Sequence, residues 1–210
     1  MKLWKRCERS SEEEDTLNGV NRVIQFATKN KGKYDEAVRV ALTYGIELAQ
    51  VSLEKYEIQA DDLRKIATVA AEQALREAKT SAILAEDAGF FIDALNGFPG
   101  PYSSYVYRTL GVDGVLKLLE KVEKRRARFA SAVAYCDEGH TICFEGVVEG
   151  NVCLKPRGQK GFGFDPIFIP DKGDGKTFAE MDTDEKNRYS HRALAFSKFC
   201  EWVKSQVLYK

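Results

Sequence analysis

Two stretches of the sequence carry side chains suited to phosphate and metal chemistry. In "TKNKGKYDEA", residues 28–37, Thr28 and Asn30 offer side-chain donors, Gly32 lets a ligand approach the backbone, and Lys29, Lys31 and Lys33 bring point charges. The stretch joins the apolar run "VIQFA" to a helical pattern. A helix N-terminus reached from a strand presents free backbone N–H groups and a positive dipole end, which together attract anions. Phosphate oxygens suit such a loop, although the same residues also make an ordinary solvated lysine turn, and the GxxxxGK[ST] spacing of a P-loop is absent. In "LAEDAGFFIDALNGFPGPY", Glu86 and Asp87 end a predicted strand, so one carboxylate faces the site and the other faces away. Small Ala88 and Gly89 leave room there for a hydrated cation. Glu57, in "YEIQADD", can join from the preceding loop, since magnesium takes one or two carboxylates plus waters and phosphate oxygens. A solvated strand end is the competing reading of the acidic pair.

Two further segments have a double reading. "GQKGFGFDPIF" sets Phe162, Gly163, Phe164 and Asp165 together, where a ring can stack on a base and a carboxylate can accept from its ring N–H. Two phenylalanines two apart can equally fill one face of a strand. "SHR" places Ser190, His191 and Arg192 at a predicted helix start, with Lys186 four residues earlier. These add positive charge to an entrance, or they are a core histidine and a solvated helix face.

The elements that position these groups follow from periodicity. "RVIQFA" (22–27) reads as a strand, and "KYDEAVRVALTYG" (33–45) as a helix with Ala37, Val40, Ala41 and Tyr44 on one face. "IELAQVS" (46–52) is the next strand, "DDLRKIATVAAEQALREAK" (61–79) a long helix opened by two aspartates, and "AILAED" (82–87) a third strand. This βαβαβ order predicts a parallel sheet with the site at the carboxyl ends of its strands. "DGVLKLLEKV" (113–122) has helical spacing, whereas "ARFASAVAYCDEGHTICFEGVVEGNVCL" alternates as a hairpin about Glu138 and Gly139, with a further strand beyond Gly150. These antiparallel strands read as a second lobe. Asp182 with Glu185 has the spacing of a capping box, and Ser190 is placed to cap a final helix that buries Ala195, Phe199, Trp202 and the stem of Gln206.

Composition narrows the function. The 210 residues, 44% hydrophobic, suffice for one core: a single domain over 21–210 after a charged, flexible extension over 1–20. Lysine plus arginine number 32 and aspartate plus glutamate 32, so no net positive field favours duplex nucleic acid. Five cysteines without a CxxC pair argue against a disulfide framework or a structural zinc site and fit a reducing cytoplasm. No run approaches the length of a membrane span.

In order and spacing, from about Asn21 to Val203, these segments resemble the Ham1-like inosine/xanthosine triphosphate pyrophosphatase family. Its T-x-N-x-x-K loop is matched by Thr28, Asn30 and Lys33, its acidic strand end by Glu86 and Asp87, and its turn by "NGFPGPY". Its F-G-[aromatic]-D segment is matched by Phe162 to Asp165, and its "EKN…SHR" segment by Glu185 to Asn187 and Ser190 to Arg192. The resemblance implies an elongated two-lobed α/β fold, a mixed sheet flanked by helices with a cleft between the lobes. It also implies hydrolysis of ITP, dITP or XTP to the monophosphate and pyrophosphate with magnesium, or manganese in its place, by a cytoplasmic homodimer. Residues 28–33 would then hold the phosphates, Glu57 and Asp87 the metal, and Asp87 the attacking water. Ala88 would line the site, Phe162 to Asp165 with His191 and Arg192 would form the base pocket, and Lys186 would reach the phosphates or ribose. Arg192 has only donors, so it pairs with a 6-oxo group and not with the 6-amino group of adenine. Two other readings stand beside this one: a Maf-like pyrophosphatase acting on modified nucleotides, and a nucleotide-binding regulatory module without turnover. Lys29 stands where many members have glycine, so a positive φ there would carry a conformational cost. Ser104 stands where many members have lysine, and Tyr56 where proline is common.

Overall fold

The computed structural model describes residues 23–53 and 58–208, and the expected extension over 1–20, together with Tyr56 and Glu57, lies outside them. Strand β1 (Val23–Ala27) leads through a short loop to helix α1 (Lys31–Thr43), then to β2 (Glu47–Val51), α2 (Leu63–Ala78) and β3 (Ala82–Ile92). β1 pairs in parallel with both β2 and β3, as the βαβαβ pattern requires. The chain then forms β4 (Pro99–Gly100), α3 (Ser103–Thr109), α4 (Gly111–Leu118), the hairpin β5 (Arg126–Asp137) and β6 (Thr141–Val152), β7 (Phe168–Pro170), α5 (Thr183–Asn187) and α6 (His191–Leu208). One seven-stranded mixed sheet results, in the order β2-β1-β3-β5-β6-β7, with β4 on β3.

The antiparallel half is therefore continuous with the parallel half, and β3 is the strand they share. Its first residues pair with β1, whereas its whole length, from Ala82 to Ile92, pairs with β5. β3 does not stop at Asp87 as its acidic end suggested. Ala88 and Gly89 continue the ladder opposite Ser131 and Ala130, and a Cβ on Gly89 would sit 2.7 Å from the carbonyl oxygen of Gly100. The further strand expected beyond Gly150 is instead the end of β6, which passes through Gly150 without a turn. Gly150 lies where a Cβ would meet the carbonyl of Ile169 on β7.

Alternation along β3 sorts its side chains between two layers. Leu84 joins the cluster built with Phe26, Val40, Phe196 and Phe199 under α1 and α6. Ile83 and Ala85 join the alanine-rich cluster under α2, whose Ala67, Ala71 and Ala74 let the helix lie close to the sheet. Phe90 and Ile92 enter a third cluster with Phe129, Phe164, Phe168 and Phe178. Each large apolar side chain fully buried there contributes about 1.5–3 kcal/mol relative to exposure. At the end of α6, Gln206 is exposed rather than covered, so the apolar stripe of that helix stops short of it.

Candidate active site

The carboxyl end of β1 delivers the loop 28–30. The Thr28 backbone N–H donates to the carbonyl of Val51 (3.1 Å), and Gln50 Nε2 donates to the Thr28 carbonyl (3.0 Å), so the loop is pinned to β2. Asn30 is the N-cap of α1: its Oδ1 accepts from the Lys33 N–H at 3.1 Å, which leaves its amide NH₂ without a partner among the described residues. Lys29 is not among the described non-glycine residues with positive φ, so its side chain carries no left-handed strain in this loop. Gly32 serves a purpose other than ligand approach. A Cβ there would lie 2.6 Å from the ring of Phe162, so glycine is what lets that ring rest on the first turn of α1.

This loop forms one wall of a cavity of about 540 Å³. Thr28, Lys29, Asn30 and Lys33 line that wall, and Asp87 and Ala88 lie across it on β3. Phe162, Gly163, Phe164 and Asp165 enter from the segment before β7, and Lys186, His191 and Arg192 from α5 and the start of α6. Lys31 and Gly32 do not line the cavity, and Lys31 is exposed. Glu57 lies outside the described residues. The two phenylalanines divide their roles. Phe164 is buried and stacks on Phe90 at 5.3 Å, while Phe162 is half-buried, its ring centre 4.9 Å from Lys186 Nζ and 5.5 Å from the Arg192 guanidinium.

Beneath the cavity lies a buried lattice of three cations and three carboxylates. Glu86 Oε2 pairs with Lys33 Nζ at 2.8 Å, and its Oε1 accepts from Arg192 Nε at 3.2 Å and from Ser131 Oγ at 2.7 Å. Glu36 Oε2 accepts from Arg192 Nη1 at 2.5 Å and its Oε1 from Lys186 Nζ at 2.7 Å. Asp165 Oδ2 accepts from Lys186 Nζ at 2.6 Å and from the Phe162 N–H at 2.8 Å, leaving its Oδ1 without a hydrogen bond among the described residues. The charges balance locally, which is how five buried ionised groups and the partly buried Lys33 can share this space. Burial raises the Glu36 and Glu86 carboxyls, but Arg192 with Lys186 or Lys33 outweighs it and holds both below the usual carboxylate value. At Asp165 burial wins over Lys186, helped by nearby Glu36, and its pKa is raised.

His191 stacks on Phe129 with ring centres 4.8 Å apart and planes at 11°. Burial first, then Arg192 and Lys186, depress its pKa well below the ordinary value, so it is an uncharged wall of the cavity. Its Nδ1 has no partner among the described residues.

Glu36 was not singled out from the sequence, yet it anchors both Lys186 and Arg192. The signal was available: Glu36 lies four residues before Val40, inside the apolar stripe of a helix, where a lone carboxylate demands a buried cation. Glu86 was read with Asp87 as an acidic strand end, one carboxylate facing the site, or as a solvated one, and it is neither solvated nor on the cavity wall; it is the counter-ion of Lys33 and Arg192. Ser190 caps α6 by accepting from the Ala193 N–H at 3.1 Å. Asp182 accepts from the Glu185 N–H, but the Glu185 carboxylate turns to Lys176 at 2.6 Å, and the reciprocal capping box is found instead at Thr177 and Glu180.

The Ham1 family model matches residues 24–202, a span that takes in every segment converging on this cavity. The chain is 50% identical over 188 residues to the dITP/XTP pyrophosphatase of Ignicoccus hospitalis, covering 89% of this chain and all of that one. It is 48% identical over 185 residues to the dITP/XTP pyrophosphatase of Methanopyrus kandleri, covering 88% and 97%. Among solved structures, the Ham1 protein of Staphylococcus aureus superposes with a TM-score of 0.75 at 26% identity, over 88% of this chain and 100% of that one. Sequence, sheet order and cavity therefore agree, and the chain belongs to the Ham1 family.

Proposed function

We propose that this protein hydrolyses non-standard purine nucleoside triphosphates, dITP, ITP and XTP, to the monophosphate and pyrophosphate. The observation that carries the reading is the convergence of a lysine-bearing helix-start loop, Asp87 and a ring-and-guanidinium pocket on one cavity. Relatives covering nearly the whole chain at about half identity are named dITP/XTP pyrophosphatases, which favours this reading over a Maf-like enzyme or a regulatory module.

The loop 28–33 grips the phosphate chain, through backbone N–H groups at the start of α1, the Asn30 amide and Lys33. The purine enters beside Phe162, where the ring offers a flat face and Asp165 Oδ1 an acceptor. Nε and Nη2 of Arg192 face Glu86 and Nη1 faces Glu36, which fixes the guanidinium plane, and the second N–H of each Nη is the donor left for a 6-oxo group. Asp87 takes the proton of the water that attacks the α-phosphorus. No covalent intermediate is required, because holding the water in line and neutralising charge are sufficient for this class of transfer.

A divalent ion belongs to this reading. Asp87 is 9% exposed and opens on the cavity beside Ala88 and Gly89, and no group of three or more metal-binding side chains exists among the described residues. Such a set suits magnesium, which is content with one or two carboxylates when substrate oxygens and water complete its shell. Asp87, with Glu57, would hold it, and the ion would supply charge neutralisation on the phosphates. A homodimer in the cytoplasm completes the proposal; among the described residues no helix is long and apolar enough to cross a membrane.

A panel of nucleoside triphosphates assayed with magnesium, scored separately for pyrophosphate and orthophosphate, tests the proposal. Pyrophosphate from dITP, ITP and XTP with little from ATP is expected. Orthophosphate release, or saturable binding without product, would overturn it.

A further inference from the structure

The cations that line the cavity are already matched with carboxylates. Lys33 faces Glu86, Lys186 faces Glu36 and Asp165, and Arg192 faces Glu36 and Glu86. A nucleotide arriving with several negative charges meets a floor that is close to neutral. Side chains at the rim without a carboxylate partner are the ones with charge to give. Lys29 is one, with no ion pair among the described residues.

Another part of the cavity wall is built by α3. Ser103 locks it in place, its Oγ accepting from the Phe90 N–H at 2.7 Å and donating to the Gly100 carbonyl at 2.6 Å. Ser103, Ser104 and Tyr107 line the cavity, and the edge of Tyr107 packs on Phe164 at 5.6 Å and 90°. One turn beyond Ser104 is Arg108, exposed, whose Nη1 donates to Ser104 Oγ at 2.8 Å. This hydroxyl is its partner among the described residues, and no carboxylate lies in ion-pair range. The guanidinium thus stands one hydrogen bond from the cavity wall, tethered to a neutral group that a phosphate oxygen readily replaces.

We propose that Arg108 binds the two terminal phosphates of the substrate, and the pyrophosphate they become, together with Lys29. This rests on the triphosphate reading above. The buried end of the cavity, with Phe162, Lys186 and Arg192, takes the base, so the phosphate chain extends toward the rim. There Lys29, on the loop, and Arg108, on α3, carry charge that no carboxylate matches among the described residues. The pairing also accounts for Ser104, which holds Arg108 along α3 in the empty site and yields it when a stronger acceptor arrives.

Calorimetric titration of inorganic pyrophosphate into the wild type, Arg108→Ala and Arg108→Lys tests the assignment directly and needs no turnover. Arg108→Ala weakens pyrophosphate binding about tenfold, the size of one charge-assisted hydrogen bond, and Arg108→Lys restores most of it. In the same proteins dIMP binding changes less than about twofold, because the monophosphate lacks the two phosphates that Arg108 binds. Unchanged pyrophosphate affinity in Arg108→Ala, or equal loss for pyrophosphate and dIMP, overturns the proposal. Melting temperatures of the variants show that the fold is retained, as an exposed side chain with one hydroxyl partner predicts. If the wild type releases no pyrophosphate from dITP, the catalytic reading fails while the titration still decides whether Arg108 is a phosphate ligand.

Discussion

Glu86 on β3 and Arg192 at the start of α6, 106 residues apart in sequence, meet through Nε at 3.2 Å and Nη2 at 3.1 Å on one carboxylate oxygen, while the other oxygen holds Lys33. A single side chain thus ties the 28–33 loop, the central strand and the start of α6 together. Replacing it by glutamine keeps the size and removes the charge. Buried Arg192 and partly buried Lys33 then lose a counter-ion, at a cost of about 3–5 kcal/mol. The Glu86→Gln protein is expected to melt roughly 10 °C lower and to lose activity with it. A thermal scan showing no change would mean that the lattice carries no stability.

Glu36 holds the other side of the same lattice, and its loss has a different signature. Glu36→Gln frees Lys186 and Arg192 to shift within the pocket, and misplacement by about an ångström costs about 10²-fold in rate. kcat/KM for dITP is expected to fall by that order, with the ratio to ATP changing as well. Steady-state assays of both nucleotides check this.

Much of this arrangement was readable in the chain, and the failures have physical causes. Thr28, Asn30, Lys33, Asp87 and the 162–165 segment declare themselves because polar and glycine residues interrupt apolar runs at element boundaries. Glu36 was missed because pattern reading assigns a helix face and passes over a single charged residue within it. The length of β3 was missed because Glu86 and Asp87 look like an exit to solvent. In the fold they are covered, one by cations and one by the cavity. Helix α3, whose exposed Tyr105 and Tyr107, after Tyr102 at its N-cap, hide its period inside a stretch rich in turn formers, left no helical signal.

In the proposed reaction Asp87 separates binding from chemistry. Asp87→Asn keeps the volume and removes the proton acceptor, so turnover is expected to drop by about 10²–10⁴ while nucleotide affinity changes little. Calorimetry with dITP alongside pyrophosphate release measures both. Near-normal turnover would remove Asp87 from the proton transfer.

In the proposed reading Arg192 sets the choice of purine. Arg192→Lys preserves the charge facing Glu36 and Glu86 but loses the planar fork, so the donor offered to a 6-oxo group is no longer held in place. One such contact is worth about 1–3 kcal/mol, and the preference for ITP over ATP is expected to narrow by about 5- to 150-fold. The ratio of the two kcat/KM values is the measurement, and an unchanged ratio would assign selectivity elsewhere.

His191 makes stability depend on pH in a definite direction. Its folded pKa is depressed below the ordinary 6.5, so the unfolded chain binds the extra proton first. Stability from this group is complete above pH 6.5 and falls as pH drops toward the folded value, by up to about 1.4 kcal/mol per pH unit. The groups that act on it are Arg192, Lys186 and Lys33, which oppose its charge, and Glu86, which favours it. Glu36 and Glu86, depressed below 4.5, withdraw their stabilisation only at lower pH, and Asp165, raised above 3.8, contributes the opposite slope. All three carboxylates are present in a His191→Gln variant, so their contributions cancel in the comparison. Urea unfolding at pH 7 and pH 5.5 is expected to show wild type losing stability across this interval and the variant losing markedly less. Equal losses in the two proteins would mean that the imidazole takes up its proton in the folded state as readily as in water.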